Sequence, residues 1–113
     1  MPDGRIQKTL ITVELIQKYC RERKIGWSIH AGEMMMKRGI SRHDVLNCLM
    51  NGEIIEDYPN SFSHPSYRIF GSSVVGMIIH TVVGMKDDML MIITAYFPDT
   101  ERFKEDLRTR RTK

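Results

Sequence analysis

The residues of this chain best equipped for chemistry are His30, Arg38, Arg68, His80, Thr94 and Tyr96. His30 and Arg38 share one short run, His30-Ala31-Gly32-Glu33-Met34-Met35-Met36-Lys37-Arg38-Gly39-Ile40-Ser41, which reads as a helix with an imidazole at its start and a guanidinium two turns later. Cleavage of RNA without a metal ion needs a base for the ribose 2′-hydroxyl, an acid for the leaving oxygen, and cations for the phosphorane. Histidine titrates near neutral pH and suits either proton role. Arginine clasps a phosphate with two parallel hydrogen bonds, and tyrosine stacks on a base or shuttles a proton. On this reading the candidate catalytic residues are His30, His80, Arg38 and Tyr96, and the candidate substrate-binding residues are Arg68 and Thr94.

Each of these residues also has a plainer role open to it. His30 can serve as a neutral imidazole at a helix start, and Arg38 can favour the negative end of the helix dipole. His80 can be a core histidine with its polar atoms satisfied. Arg68 can pair with Glu53, Glu56 or Asp57 of a neighbouring strand, while Thr94 and Tyr96 are good strand formers anyway. The Met34-Met35-Met36 run suits an adaptable core. The four histidines, His30, His43, His64 and His80, lack metal-ligand spacing, and no phosphate loop, nucleophile elbow or dinucleotide fingerprint is present. No metal and no cofactor are therefore expected.

The elements that would position these residues follow from periodicity. Apolar Ile11, Leu15, Ile16, Tyr19 and Cys20 recur at helical spacing, predicting a first helix over residues 9–23 with Gly26 as a left-handed cap. Residues 1–8 read as a frayed lead-in. Ser28 is a good N-cap for a second helix ending at Arg38-Gly39. Ser41 with Asp44 fits a capping box for a third, which ends at Asn51-Gly52. Strands are expected at Glu53–Tyr58 (an edge, by its charges), Ser66–Ser72, 74–83 and 89–97, with an irregular loop at 59–65 and a hairpin connection at 84–88. On the third strand His80 alternates away from Ile79 and Thr81. On the fourth, strict alternation groups Leu90, Ile92, Thr94 and Tyr96. Pro98-Asp99 opens a short final helix with Phe103 and Leu107 on its apolar side. The expected fold is α+β: N-terminal helices packed on one face of a four-stranded, mainly antiparallel sheet, with a short C-terminal helix.

Composition sets the outer bounds. With 113 residues, 42% of them hydrophobic and 27% charged, the chain fits a single domain over 1–113, its core about 9–107 and a basic tail at 108–113. No uninterrupted apolar run is long enough for a membrane helix, and no signal-peptide segment opens the chain. Cys20 and Cys48 read as reduced, mostly buried thiols, which fits a cytoplasmic location. Net charge is +3, unevenly placed: residues 1–50 carry nine Lys/Arg against five Asp/Glu, and residues 51–113 carry eight against nine. A basic helical half and a basic tail can face an acidic partner or a polyanion.

The ordered set His30-Ala31, Met35, Arg38-Gly39-Ile40-Ser41, Gly52 through Pro59, Pro65, His80, and Ile92 through Asp99 resembles a bacterial and archaeal family catalogued as a domain of unknown function. The resemblance covers residues 25–103, and in one stretch, residues 72–77, the chain lacks the polar Gly-x-Pro-Leu run of that pattern. Members look like the toxin half of toxin–antitoxin pairs, and their helices-then-sheet order looks like the RelE/ParE-type toxin and ribonuclease fold. The resemblance implies an RNA-directed activity and an antitoxin protein as partner. The alternative is a non-catalytic protein- or nucleic-acid-binding module. Oligomeric state is left open.

Overall fold

The computed structural model describes residues 11–58 and 65–111. The lead-in at 1–8, all but Pro65 of the loop at 59–65, and the last two residues of the basic tail lie outside these. The order is α1 (Val13–Arg21), β1 (Ile25–Trp27), α2 (Ile29–Arg38), α3 (Arg42–Asn51), β2 (Glu53–Tyr58), β3 (Ser66–Ser72), β4 (Ile78–Lys86) and β5 (Met89–Tyr96). The fold is α+β, with three helices and one five-stranded mixed sheet among the described residues, in the order β1-β5-β4-β3-β2.

Local chemistry sets the helix ends. Thr12 caps α1 by accepting from the Leu15 amide at 3.1 Å. Ser28 accepts from the Ala31 amide at 3.0 Å, and Gly39 closes α2 in the left-handed region with φ 72°. Ser41 and Asp44 exchange both bonds of a capping box, so α3 starts immediately after α2 stops.

Five expectations are corrected. The sheet has five strands, because Ile25-Gly26-Trp27 pairs parallel with Leu90-Met91-Ile92. Gly26 therefore lies in a strand, and the left-handed residue after α1 is Arg23, at φ 60°. The third strand of the meander starts at Ile78: Ser73–Met77 forms a turn in which the Ser73 amide donates to the Met77 carbonyl at 2.7 Å and Asp44 accepts from the Val74 amide at 2.9 Å. The hairpin after it is tighter than expected, with only Asp87 and Asp88 between the strands, both at positive φ as a type I′ turn requires. Finally, no C-terminal helix forms. Asp99 accepts from the Glu101 and Arg102 amides, which starts a single turn. Asp106 then accepts from the Arg108 and Thr109 amides and turns the chain back, so that Phe103 bridges to Arg110.

All three helices sit on one sheet face, over Ile69, Ile79, Val83, Leu90, Ile92 and Ala95. Contact is close at Gly71, where a Cβ would come within 2.7 Å of Cys48 Sγ and 2.8 Å of its carbonyl oxygen. Cys48 is fully buried and accepts a bond from the Thr81 hydroxyl. Burial pushes its thiol up to about 11. The opposite face is covered in part by the C-terminal segment, through buried Phe103. No helix among the described residues is long and apolar enough to cross a membrane.

Candidate functional site

A β-bulge builds the site. Strict alternation along β5 would leave Tyr96 on the same face as Leu90 and Ile92, under the helices. Instead Val82 pairs with Thr94 and Val83 with Ile92, so Ile93 is an extra residue. Beyond it Ala95 takes the helix face, while Thr94 and Tyr96 turn to the face that carries His80. His80 and Tyr96 become direct register partners.

On that face His80 is fully buried. Its Nε2 lies 2.6 Å from the Leu107 carbonyl and its Nδ1 3.3 Å from the Tyr96 hydroxyl. A carbonyl can only accept, so Nε2 carries the proton of the neutral ring and Nδ1 presents its lone pair to Tyr96. The Tyr96 O–H then donates to His80. Arg68 Nε donates to the Tyr96 oxygen at 2.7 Å. Arg68 Nη1 donates to Glu56 and to the Tyr58 hydroxyl, and Tyr58 in turn donates to Glu56. Burial is the main cause that holds the His80 imidazole down at about 4; repulsion from Arg68 and Arg110 adds to it, and the Leu107 carbonyl opposes it. His80 is therefore neutral at pH 7. Burial likewise lowers the Arg68 guanidinium from its ordinary value.

The cover over this cluster is the C-terminal segment. The Phe103 ring stands edge-on to the His80 ring, 4.6 Å between centroids and 86° between planes. Arg110 lies over Phe103, and Arg108 over Phe70 with its guanidinium paired to Glu53. The expected basic tail is thus folded against the sheet as far as Arg111, whose Nε donates to the Thr100 and Phe103 carbonyls.

Arg38 arrives from the other side of the sheet. Because β1 pairs only with Leu90–Ile92, the later part of β5 has no strand on that flank among the described residues. Arg38 reaches around it and donates to the Ala95 carbonyl at 2.7 Å and the Thr94 hydroxyl at 3.1 Å. The guanidinium lines an open cleft of about 280 Å³ with Tyr96, Phe97, Pro98, Asp99 and Arg102. Tyr96 thus joins two groups of residues: Arg68 and His80 behind it, Arg38 and Arg102 in front.

Of the six residues singled out from sequence, the structure brings together His80, Tyr96 and Arg68 in one hydrogen-bonded cluster, and Arg38, Thr94 and Tyr96 around one cleft edge. His30 stands apart, exposed in the first turn of α2, about 12 Å of helix rise from Arg38. Sequence reasoning did not single out Arg102, Phe103, Tyr58 or Arg110. Glu56 appeared only as one of three carboxylates open to Arg68; the Glu56–Arg68 pairing depends on a second bulge, between Ile54 and Glu56.

A family profile described as a domain of unknown function, DUF4258, matches residues 27–97. The matched segment runs from Trp27 of β1 to Phe97 and holds His30, Arg38, Arg68, His80, Thr94 and Tyr96; it stops before the segment that covers His80. No curated protein and no solved structure matches the chain. Since the match spans well over half of the chain, the protein belongs to the DUF4258 family of domains of unknown function.

Proposed function

We propose that this domain is a RelE/ParE-like, toxin-type protein that cleaves RNA without a metal ion, at the cleft between Arg38 and Tyr96. The observation that carries the reading is the hydrogen-bonded line from His80 through Tyr96 to a cleft bordered by two arginines. Arg38 and Arg102 hold the non-bridging oxygens of one phosphodiester. The ribose 2′-hydroxyl attacks phosphorus. Its proton passes to Tyr96 as the Tyr96 proton passes to His80 Nδ1. The bond to the 5′ oxygen breaks, and that oxygen takes a proton from water. The products are a 2′,3′-cyclic phosphate and a 5′-hydroxyl. Arg68 orients the Tyr96 hydroxyl, which differs from a direct phosphate role, because its Nε is bonded to Tyr96 and its Nη1 to Glu56 and Tyr58. Thr94 positions Arg38.

A base held near 4 pulls a proton only weakly. Cleavage is therefore slow while the C-terminal cover is in place and faster once it lifts. RNA is the substrate on this reading, an antitoxin protein is the partner, and the cytoplasm is the place of action. The test is incubation with RNA, with and without ribosomes, followed by detection of 2′,3′-cyclic phosphate ends. RNA left intact in both cases, together with equal growth of cells expressing wild type, His80→Ala and Tyr96→Phe, overturns it.

One observation favours a second reading, a non-catalytic protein-binding module. Ile29 and Met36 are 82% and 83% exposed, and they border a groove of about 500 Å³ along α2. On that reading α2 docks a protein and RNA is left whole.

A further inference from the structure

A cavity of about 440 Å³ lies between the end of α1, β1 and the start of α3, lined by Cys20, Arg23, Ile25, Trp27, Arg42, His43 and Leu46. It shares no lining residue with the Arg38 cleft. Its size falls within the range of small-ligand pockets. Its chemistry is unusual for this surface, for none of the seven lining residues is acidic and three can carry positive charge.

The arginines of the molecule sharpen the contrast. Arg68, Arg108 and Arg110 each lie over an aromatic ring, and each also pairs with a carboxylate, Glu56 or Glu53. Arg42 stands over the Trp27 ring, 4.9 Å from its centroid, and among the described residues it pairs with no carboxylate. Neither Arg23 nor His43 takes part in an ion pair among the described residues. Asp44, the acid next in sequence, is already engaged with the Ser41 and Val74 amides. The left-handed backbone at Arg23, φ 60°, follows directly from the stop of α1. Among the described residues the Trp27 indole N–H donates to nothing. An indole, a planar guanidinium, a second arginine and a histidine around an apolar hollow match the two halves of a nucleotide: a flat aromatic base and a phosphate.

We infer that this cavity is a nucleotide subsite, in which Trp27 and Arg42 stack an aromatic base and Arg23 and His43 hold its phosphate. It extends the RNA reading by giving the strand a second grip outside the cleft, yet it stands on its own lining residues. Trp27 is the single tryptophan of the chain, so intrinsic fluorescence reports on the cavity directly.

The experiment titrates the full chain with AMP and, separately, with a short oligoribonucleotide, using ribose 5-phosphate as a base-free control. Saturable quenching by the oligoribonucleotide is expected, with no response to ribose 5-phosphate. Quenching by AMP as well identifies free nucleotide as a second source of the same ligand chemistry. Arg42→Ala and Arg42→Lys each weaken binding about tenfold or more, since lysine keeps the charge and loses the planar face. Tyr96→Phe, which loses cleavage and keeps RNA binding, leaves the response intact, so loss of cleavage and loss of this subsite are separable. The inference is overturned if neither nucleotide changes the fluorescence, if ribose 5-phosphate quenches equally, or if Arg42→Ala binds as wild type with an unchanged circular dichroism spectrum.

Discussion

Replacing Phe103 with alanine removes the ring that closes the pocket around His80. In the native fold the His80 imidazole sits at about 4 against an ordinary 6.5, chiefly because it is buried. At about 1.4 kcal/mol per unit, the difference corresponds to roughly 3 kcal/mol. The sign follows from proton uptake. Between about 6.5 and 4 the unfolded chain binds a proton at this position and the folded chain does not, so stability rises with pH across that window. The contribution is fully present above about 6.5 and is lost as pH falls through 4. Phe103→Ala removes an aromatic anchor worth about 1.5–3 kcal/mol. The remaining ties of the cover are the partly exposed Arg108–Glu53 and Arg110–Glu56 pairs, each of small value, the stacking of Arg108 on Phe70, a long bond from Arg110 to the Tyr58 hydroxyl, and one bond from His80 to the Leu107 carbonyl. Water then reaches the imidazole, its titration moves back toward 6.5, and the acid sensitivity of folding flattens. An NMR titration of the His80 ring in wild type and variant measures the shift, and urea unfolding at pH 7 and pH 4.5 measures the linked stability. A variant in which His80 still titrates near 4 would refute the reasoning, because burial by the cover would then not be what depresses it.

Further expectations concern the framework. Gly71→Ala pushes a methyl group against Cys48 Sγ at 2.7 Å and the Cys48 carbonyl at 2.8 Å, so α3 must shift; a loss of about 1–3 kcal/mol is expected in urea unfolding. Cys20 reacts with a maleimide in the native protein while Cys48, fully buried and held up at about 11, reacts only after unfolding; mass spectrometry of the labelled chain distinguishes the two. Arg38→Ala lowers cleavage about a hundredfold or more and costs about 1 kcal/mol of stability through the lost bond to the Ala95 carbonyl, whereas Arg38→Lys recovers part of the rate, as read from initial rates and thermal melts.

Much of the frame was legible because it is written in local chemistry. Ser28, Gly39, Ser41 and Asp44 mark helix ends through bonds made within four residues, and they were readable one by one. β1 was not, because three residues carry no period and gain their strand geometry only from pairing with Leu90–Ile92, far along the chain. The C-terminal segment misled for a related reason: Asp99 does start a turn, but burial of Phe103 against His80 outweighs the weak helical pattern that follows. The site was legible as residue types and not as an arrangement. Thr94 and Tyr96 look like inward residues until the bulge at Ile93 turns them to the His80 side. His30 drew notice by its place beside Arg38 in sequence, whereas in space Arg38 bonds to Thr94 and Ala95 and shares a cleft with Tyr96.

The most direct test of the central claim compares wild type with Tyr96→Phe on an RNA substrate. The substitution removes one oxygen, the one that touches both His80 and Arg68, and keeps the ring of a residue that lines the cleft. The account predicts cleavage to 2′,3′-cyclic phosphate ends by wild type, unchanged in EDTA, and a fall of about a hundredfold or more in Tyr96→Phe with RNA binding retained. Equal cleavage by the two proteins would contradict it.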